Sequence, residues 1–220
     1  MCGRFAVTLP QDAMVSLFDA TPANNLPEDE RYNVCPTTQI AVVTSFEGTR
    51  HLRPMRWGFL PHWYKSPTDG PLLINARAET VAEKPAFRAA CRERRCLIPA
   101  SGFYEWTKDA DGARLPWYFY DAAGAPLVFA GIWQDWARDD QAFTTCAIVT
   151  TSAGETMSEI HHREPVTLAP DQWAMWLGEE GKGAARLMTA APEDRIARYR
   201  VSPKVNSNRA QGPELIEPYE

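Results

Sequence analysis

Five short runs rich in β-branched and aromatic residues crowd the stretch from Cys96 to Thr151: Cys96 to Ile98, Gly102 to Trp106, Pro116 to Tyr120, Leu127 to Trp133 and Thr144 to Thr151. Two more precede them, Ile40 to Phe46 and Thr49 to Trp57, joined across Glu47-Gly48. Helical spacing is kept apart from these runs. Pro10 to Ala20 carries Met14, Val15, Leu17 and Phe18 with proline in its first turn. Lys84 to Arg95 places Phe87, Ala90 and Cys91 on one face and Arg88, Arg92 and Arg95 on the other. A short strand at Val166 to Leu168 leads to a helix opened by Pro170-Asp171 and stopped at Gly178, and a second helix is expected over Lys182 to Met188. Many strands at short spacing with segregated helices predict an α+β fold with a mostly antiparallel, barrel-like sheet and peripheral helices. There is no βαβ rhythm, no Gly-x-Gly-x-x-Gly and no phosphate loop. Asn24 to Glu30 and His62 to Pro71 read as irregular, and the polar end from Val201 to Glu220 as extended.

A chain of 220 residues and 24.7 kDa with no internal repeat is expected to form one domain spanning residues 1–220. No apolar run approaches the length of a membrane span, and Met1-Cys-Gly-Arg-Phe5 lacks an apolar signal region, so a cytoplasmic protein is expected. The net charge of −5 argues, on average, against a nucleic-acid partner. The distribution argues differently. Acid collects at Glu28-Asp29-Glu30, Asp139-Asp140, Glu179-Glu180 and from Glu214 to Glu220. Base collects at Arg50, Arg53 and Arg56 and at Arg88, Arg92, Arg94 and Arg95. A cationic face on an anionic body is compatible with this pattern.

Five cysteines without a Cys-x-x-Cys fit neither a disulfide framework nor a zinc knuckle. Cys35, Cys91, Cys96 and Cys146 read as small buried hydrophobes. Cys2 differs by position. Removal of Met1, which a small second residue permits, leaves an α-amine and a thiol two carbons apart. The amine titrates near 7.7–8, so roughly a tenth is neutral at pH 7. A neutral amine condenses with an aldehyde to an imine, and the tethered thiol can close a thiazolidine ring on it. The alternative is a cysteine of no chemical consequence.

Further candidates each carry two readings. In Ile74-Asn-Ala-Arg-Ala-Glu-Thr80, Asn75 can orient an amine and Arg77 can hold a phosphate, or the segment is a turn with a solvated charge. Glu105, flanked by Phe103, Tyr104 and Trp106, is expected to be desolvated toward general acid/base use, or it lies on the wet face of a strand. Trp106 offers a base-stacking platform or a core position. His161, followed by His162 and Arg163, is suited to moving protons at neutral pH. Zinc would need more ligands than Cys91 and Cys96 supply, so no metal and no cofactor is expected.

Together these segments resemble the SRAP-domain family, the SOS-response-associated peptidase or abasic-site-processing family. The resemblance is carried by Met1-Cys-Gly-Arg-Phe5, Arg31-Tyr-Asn-Val-Cys-Pro-Thr37, Met55-Arg-Trp-Gly-Phe-Leu-Pro61, Ile74 to Val81 and Lys84-Pro-Ala-Phe-Arg88. It continues through Arg94 to Ala100, Gly102 to Trp106, Ile160-His-His-Arg163 and Val201-Ser with Val205-Asn206, nearly end to end. It implies covalent capture of abasic sites in single-stranded DNA. The nucleophile matches Cys2, the amine-positioning residue Asn75, the carboxylate Glu105 and the catalytic histidine His161. Strand contacts map to Arg4, Arg77 and Arg163, with Asn33, Pro36, Trp106 and Thr150 near the DNA path. One departure stands out. After the histidine the family pattern reads Arg-Met-Pro, whereas this chain has Arg163-Glu164-Pro165, which puts the local DNA contact in question. The expected partner is abasic single-stranded DNA, with no membrane and no metal, met by a monomer. Two rival readings remain: a thiol peptidase using Cys2 and His161, self-processing or broader, and a non-covalent single-strand reader using Arg77 and Trp106.

Overall fold

The computed structural model describes residues 2–27 and 30–219. Met1, Glu28, Asp29 and Glu220 lie outside the described residues, and with them parts of the expected 24–30 loop and of two acidic runs. The chain opens with β1 (Phe5–Val7), α1 (Gln11–Phe18), β2 (Ala20–Pro22) and β3 (Arg31–Val34). The hairpin β4 (Gln39–Phe46) and β5 (Thr49–Trp57) follows, then β6 (Asn75–Arg77) and α2 (Arg88–Glu93). Next come β7 (Arg95–Ala100), β8 (Gly102–Lys108), β9 (Arg114–Asp121), β10 (Leu127–Arg138) and β11 (Gln141–Ser152). The last elements are α3 (Glu155–Ser158), β12 (Arg163–Pro165), α4 (Trp173–Leu177) and β13 (Ile196–Arg200).

Two sheets organise these elements. In the larger, β11, β10, β7, β4 and β5 pair in succession, and a parallel pairing of Thr145 and Cys146 with Arg56 and Trp57 joins β11 back to β5. That closure makes a five-stranded barrel and removes the open edges such a sheet would expose. The smaller sheet runs β13, β9, β8, β1, β3. The expected α+β, barrel-like core is thus present.

Side chains alternate along each barrel strand and feed two cores. Val43, Leu52, Leu97, Ala130, Ile132, Ala147 and Val149 pack with Met14 and Phe18 of α1 and with Trp173 and Trp176 at α4. Their neighbours Val42, Met55, Trp57, Ile98, Phe129 and Ile148 pack with Phe5, Phe103 and Phe119 of the smaller sheet. Gly131 faces this second core. A Cβ there would lie 2.8 Å from Cys96 Sγ, so β7 and β10 require a residue without a side chain at the crossing.

Differences from the sequence reading have local causes. The 84–95 helix is shorter, because Arg95 already belongs to β7, whose pairing with Ile132 of β10 outweighs helical periodicity. The strand expected at Val166 to Leu168 is displaced: β12 covers Arg163–Pro165, where it pairs with Thr150 to Ser152 of β11, and Thr167 makes only an isolated bridge to Phe129. The helix expected over Lys182 to Met188 is a 3₁₀ turn over Ala184–Leu187. β13, unmarked in the pattern, completes the smaller sheet against β9. The polar end is not simply extended. It makes 3₁₀ turns at Pro203–Asn206 and Pro213–Ile216 and folds back onto the smaller sheet. The cysteines are unbridged, with Cys96 and Cys146 buried and Cys35 and Cys91 half-buried. Among the described residues no helix is long and apolar enough to cross a membrane.

Candidate active site

The candidate site lies where the smaller sheet meets the end of β11. Backbone pairing sets two of its side chains. Phe103 and Glu105 share one face of β8, because residues two apart on a strand point the same way. That face looks onto the core that holds Phe5, Met157 and the fully buried Cys2. Tyr104 lies on the other face with Val201 and Val205, and Trp106 packs there. Glu105 is only 4% exposed. The sequence expectation of desolvation therefore holds, but its main source is the sheet face rather than the flanking aromatic residues. Gly102 allows β9 to approach: a Cβ there would lie 2.4 Å from the Phe119 carbonyl oxygen.

Asn75 opens β6, which runs parallel to β11 with Asn75 opposite Ile148. Its Nδ2 donates to the Cys2 carbonyl at 3.1 Å and to the Ile74 carbonyl at 3.1 Å. Its Oδ1 is buried and accepts no hydrogen bond among the described residues. An unsatisfied buried amide oxygen beside Cys2 is costly, and such atoms mark sites where a donor is expected to arrive.

His161 stands on the loop between α3 and β12. Its Nδ1 lies 3.0 Å from the Arg163 N–H and 3.2 Å from the Arg163 carbonyl, so the Arg163 backbone fixes the orientation of the ring. Its ring stacks on His162 with centroids 4.4 Å apart. Burial holds the His161 imidazole below its ordinary value, while the Glu105 charge pulls it upward. Burial also pushes the Cys2 thiol well above the usual range, and Glu105 adds to that push. Cys2, Asn75, Glu105 and His161 thus form one neighbourhood: Asn75 touches Cys2, and the Glu105 charge reaches both Cys2 and His161.

The expected strand contacts separate into groups. Arg77 is exposed. Arg163 is buried; its guanidinium grips Glu79 through Nη1 at 2.6 Å and Nη2 at 2.9 Å, and Nη2 also donates to the Thr150 carbonyl at 2.7 Å. The hydrogen bond to Arg163 holds the Glu79 carboxyl at about 2. Arg4 and Asn33 are buried too, and both are occupied within the chain. Arg4 donates to Asn33 at 2.7 Å, to the Val205 carbonyl at 2.9 Å and to Asn208. Asn33 Nδ2 donates to the Ser207 and Ala210 carbonyls. Trp106 donates to Asn206 at 2.6 Å and lies under Arg114, 4.5 Å from the ring centroid. Pro36 sits half-buried in the turn after β3, next to Thr37 at φ 71°. Arg4, Asn33 and Trp106 therefore fasten the C-terminal segment, while Arg77 offers its charge to solvent.

The roomier clefts lie elsewhere. One of about 490 Å³ is lined by Arg92, Arg95, Trp176 and Met188 among others, but by no carboxylate or imidazole, so it holds no acid/base pair. Among the described residues no cluster of three or more metal-ligating side chains occurs.

Residues 1–208 match the family described as SOS response associated peptidase (SRAP). The chain belongs to that family. Abasic site processing protein YoaM of Bacillus subtilis (strain 168) is 35% identical to it over 224 residues, covering 99% of this chain and 98% of that one. Abasic site processing protein YedK of Escherichia coli (strain K12) is 33% identical over 227 residues, covering 99% and 100%. A crystal structure of a protein from Bacteroides thetaiotaomicron matches with a TM-score of 0.87 over 100% of both chains at 23% identity, a likeness of fold.

Several residues that contact these candidates were not singled out from the sequence. Glu79 lies inside the Ile74 to Val81 motif, and its spacing from Arg77 marked it only as part of a turn. Arg114 and Asn208 sit in polar stretches with no local signal; only the fold brings them to Trp106 and Arg4. Asn206 closes the last family motif, yet its bond to Trp106 spans 100 residues of sequence.

Proposed function

We propose that this chain captures abasic sites in single-stranded DNA as a thiazolidine on Cys2, once Met1 has been removed. The observation that carries this reading is the contact of the Asn75 amide with Cys2, whose thiol and the His161 imidazole both feel the Glu105 carboxylate. Membership of the SRAP family and its abasic-site-processing relatives support the substrate.

With Met1 attached, the Cys2 nitrogen is an amide and inert. Hydrolysis of the Met1–Cys2 bond supplies the amine. An abasic sugar is mostly a closed hemiacetal, which His161 opens to the aldehyde by taking the hydroxyl proton while the ring oxygen is protonated. The amine attacks C1′; the carbonyl electron pair moves to oxygen, which takes a proton to give a carbinolamine. Loss of water, aided by proton transfer from Glu105, gives the imine. The Cys2 sulfur then bonds to C1′, the imine electron pair returns to nitrogen, and the thiol proton ends there. The sum is aldehyde plus aminothiol giving thiazolidine plus water. Asn75 Oδ1, with no donor among the described residues, is the acceptor that would orient the amine. The same imine permits β-elimination, hence a weak lyase activity, and His161 and Glu105 can assist ring reopening.

The setting of Cys2 argues against a thiol peptidase. A peptidase needs a thiolate in an electropositive setting, whereas the Cys2 thiol is buried next to a carboxylate. In the thiazolidine route the amine acts first and the thiol adds with its proton. Exposed Arg77 supplies phosphate contact for an otherwise anionic protein. The working compartment in this reading is the cytoplasm, with DNA.

The test is intact mass of purified protein before and after mixing with an abasic single-stranded oligonucleotide. The expected result is a chain lacking Met1 that gains one oligonucleotide less one water, in an adduct that survives denaturation. Cys2→Ala should give none. An equally stable Cys2→Ala adduct would overturn the reading.

A further inference from the structure

We propose that Glu164, with Glu193 beside it, is a positioning residue that fixes the segment carrying His161. This rests on the acid/base role given to His161 above. That segment leaves the sheet at Ser152 and returns at Arg163. Its only helix, α3, has four residues, far too few to hold itself by internal hydrogen bonds. The unpaired N–H groups at its start are taken by carboxylates instead. Gly154 N–H donates to Glu164 Oε2 at 2.9 Å. Glu155 and Thr156 N–H groups donate to Glu193 at 2.8 and 3.1 Å. The other Glu164 oxygen accepts from Ala191 N–H at 2.7 Å, which ties the start of the segment to the strand–turn region before β13. Arg198 of β13 adds a hydrogen bond to the Thr156 carbonyl and an ion pair with Glu159.

From α3 the path to the imidazole is short. His161 N–H donates to the Met157 carbonyl at 2.9 Å, and Arg163 N–H donates to His161 Nδ1. Glu164 is the next residue. It therefore sits at the return end of the loop while grasping the departure end. A Cβ at Gly154 would lie 2.6 Å from Glu193 Oε1, so a side chain there would displace that carboxylate.

Glu164 is 6% exposed, and among the described residues no cation lies within ion-pair distance of it. A buried carboxylate held only by two backbone N–H groups is an expensive side chain. Burial raises its pKa, and the Gly154 and Ala191 N–H groups partly restore it. The geometry also settles which way the departure from the Arg-Met-Pro pattern acts. The Glu164 carboxylate meets Gly154 and Ala191, whereas the Arg163 guanidinium meets Glu79 and Thr150. Methionine, with no strong acceptor, cannot make the first two bonds.

The experiment compares wild type, Glu164→Met, Glu164→Gln and the core variant Ile98→Val, all lacking Met1. Two readouts are used. The ¹⁵N spectrum of the His161 imidazole is recorded without DNA. Single-turnover adduct formation on an abasic single-stranded oligonucleotide is resolved into maximal rate and half-saturating concentration. In Glu164→Met the Nδ1 signal should move away from its wild-type position. The maximal rate should fall about ten-fold or more, with half-saturation within about two-fold of wild type. Glu164→Gln keeps one acceptor and should lie between. Ile98→Val, which loosens the core without touching the loop, should leave the imidazole spectrum unchanged. A wild-type imidazole spectrum in both Glu164 variants overturns the proposal, and so does an equal change in Ile98→Val. If wild type forms no adduct, the functional reading fails while the imidazole spectra still decide the positioning claim.

Discussion

The two walls of the candidate site are held by different physics. On one wall, Asn75 and Glu105 project from β6 and β8, whose backbones are fixed by pairing with β11 and with β1 and β9. On the other, His161 rides a loop whose backbone donors end on the side chains of Glu164 and Glu193. The first wall gains its accuracy from ladders that also build the core. The second gains it from a few long-range side-chain bonds and is separable from the core. A site built this way keeps the groups that must not move on the sheet. It leaves the proton-shuttling imidazole on the part whose motion costs least.

The largest expected effect tests that separation. Phe129 is fully buried and contacts Phe5 and Phe103 edge-on, at centroid distances of 5.9 and 6.0 Å. Phe129→Ala should destabilise the chain by about 3–5 kcal/mol in urea unfolding. Amide exchange should lose the same amount of protection in β8 and β11, which open only with the whole fold. The amides of Gly154 to Thr156 should keep their rates, because local opening governs them. Equal losses in both places would make the two walls one cooperative unit and break the comparison.

Next in size is Asn75→Ala. Removing the amide frees the Cys2 carbonyl and deletes the acceptor proposed for the amine. Folding stability should drop by about 1 kcal/mol, and the adduct rate by about 100-fold, the usual cost of a misplaced reactant. A variant with an unchanged rate would mean that the sheet-borne wall does not aim Cys2.

The same division explains what could be read from the sequence. The period-2 runs gave β4 and β5 almost to the residue, because each buries one face against each of two cores. Glu105 was legible for the same reason, as a charge in an apolar strand. The four central residues were reached through motifs near or on ladders, or, for His161, through residue chemistry. What escaped was set by contacts far apart in sequence. β13 has no strong alternation, since each of its residues is half-buried. Arg4 and Asn33 look like ready strand contacts in the sequence. Their occupation by Val205, Ser207, Asn208 and Ala210 depends on how the C-terminal segment returns. Glu164 looked like a disturbance in a DNA-binding motif. Its actual partners, Gly154 and Ala191, sit 10 and 27 residues away.

A smaller effect comes from the ion pair that bridges the walls. Glu79 follows β6, and Arg163 follows the His161 loop. The folded-state Glu79 carboxyl sits at about 2, below the roughly 4.3 of an unfolded chain. Its contribution is therefore present above about pH 4.3 and is lost as pH falls toward about 2. Glu79 is about half exposed, so solvent screening limits the gain to under about 1 kcal/mol. Glu79→Gln should remove that gain at neutral pH, and the gap from wild type should close on the acid side. A gap that persists at about pH 2 would assign the pair's effect to packing rather than charge.

The smallest effect is a shift in the His161 titration, and it asks whether the walls sense each other at all. Burial lowers the folded-state imidazole pKa, so the unfolded chain, near 6.5, takes the proton more readily. The group therefore costs stability as pH falls below about 6.5. Glu105, on the opposite wall, works against burial and raises the value. In Glu105→Gln the NMR midpoint of His161 should consequently move further down, with its titration curve otherwise intact. The direction is diagnostic. A change in local solvation from the substitution would expose the ring and raise the midpoint, whereas loss of the carboxylate charge lowers it. An unchanged midpoint would leave the imidazole and the carboxylate as two neighbours without electrostatic contact, and the acid/base pair across the two walls would have to be abandoned.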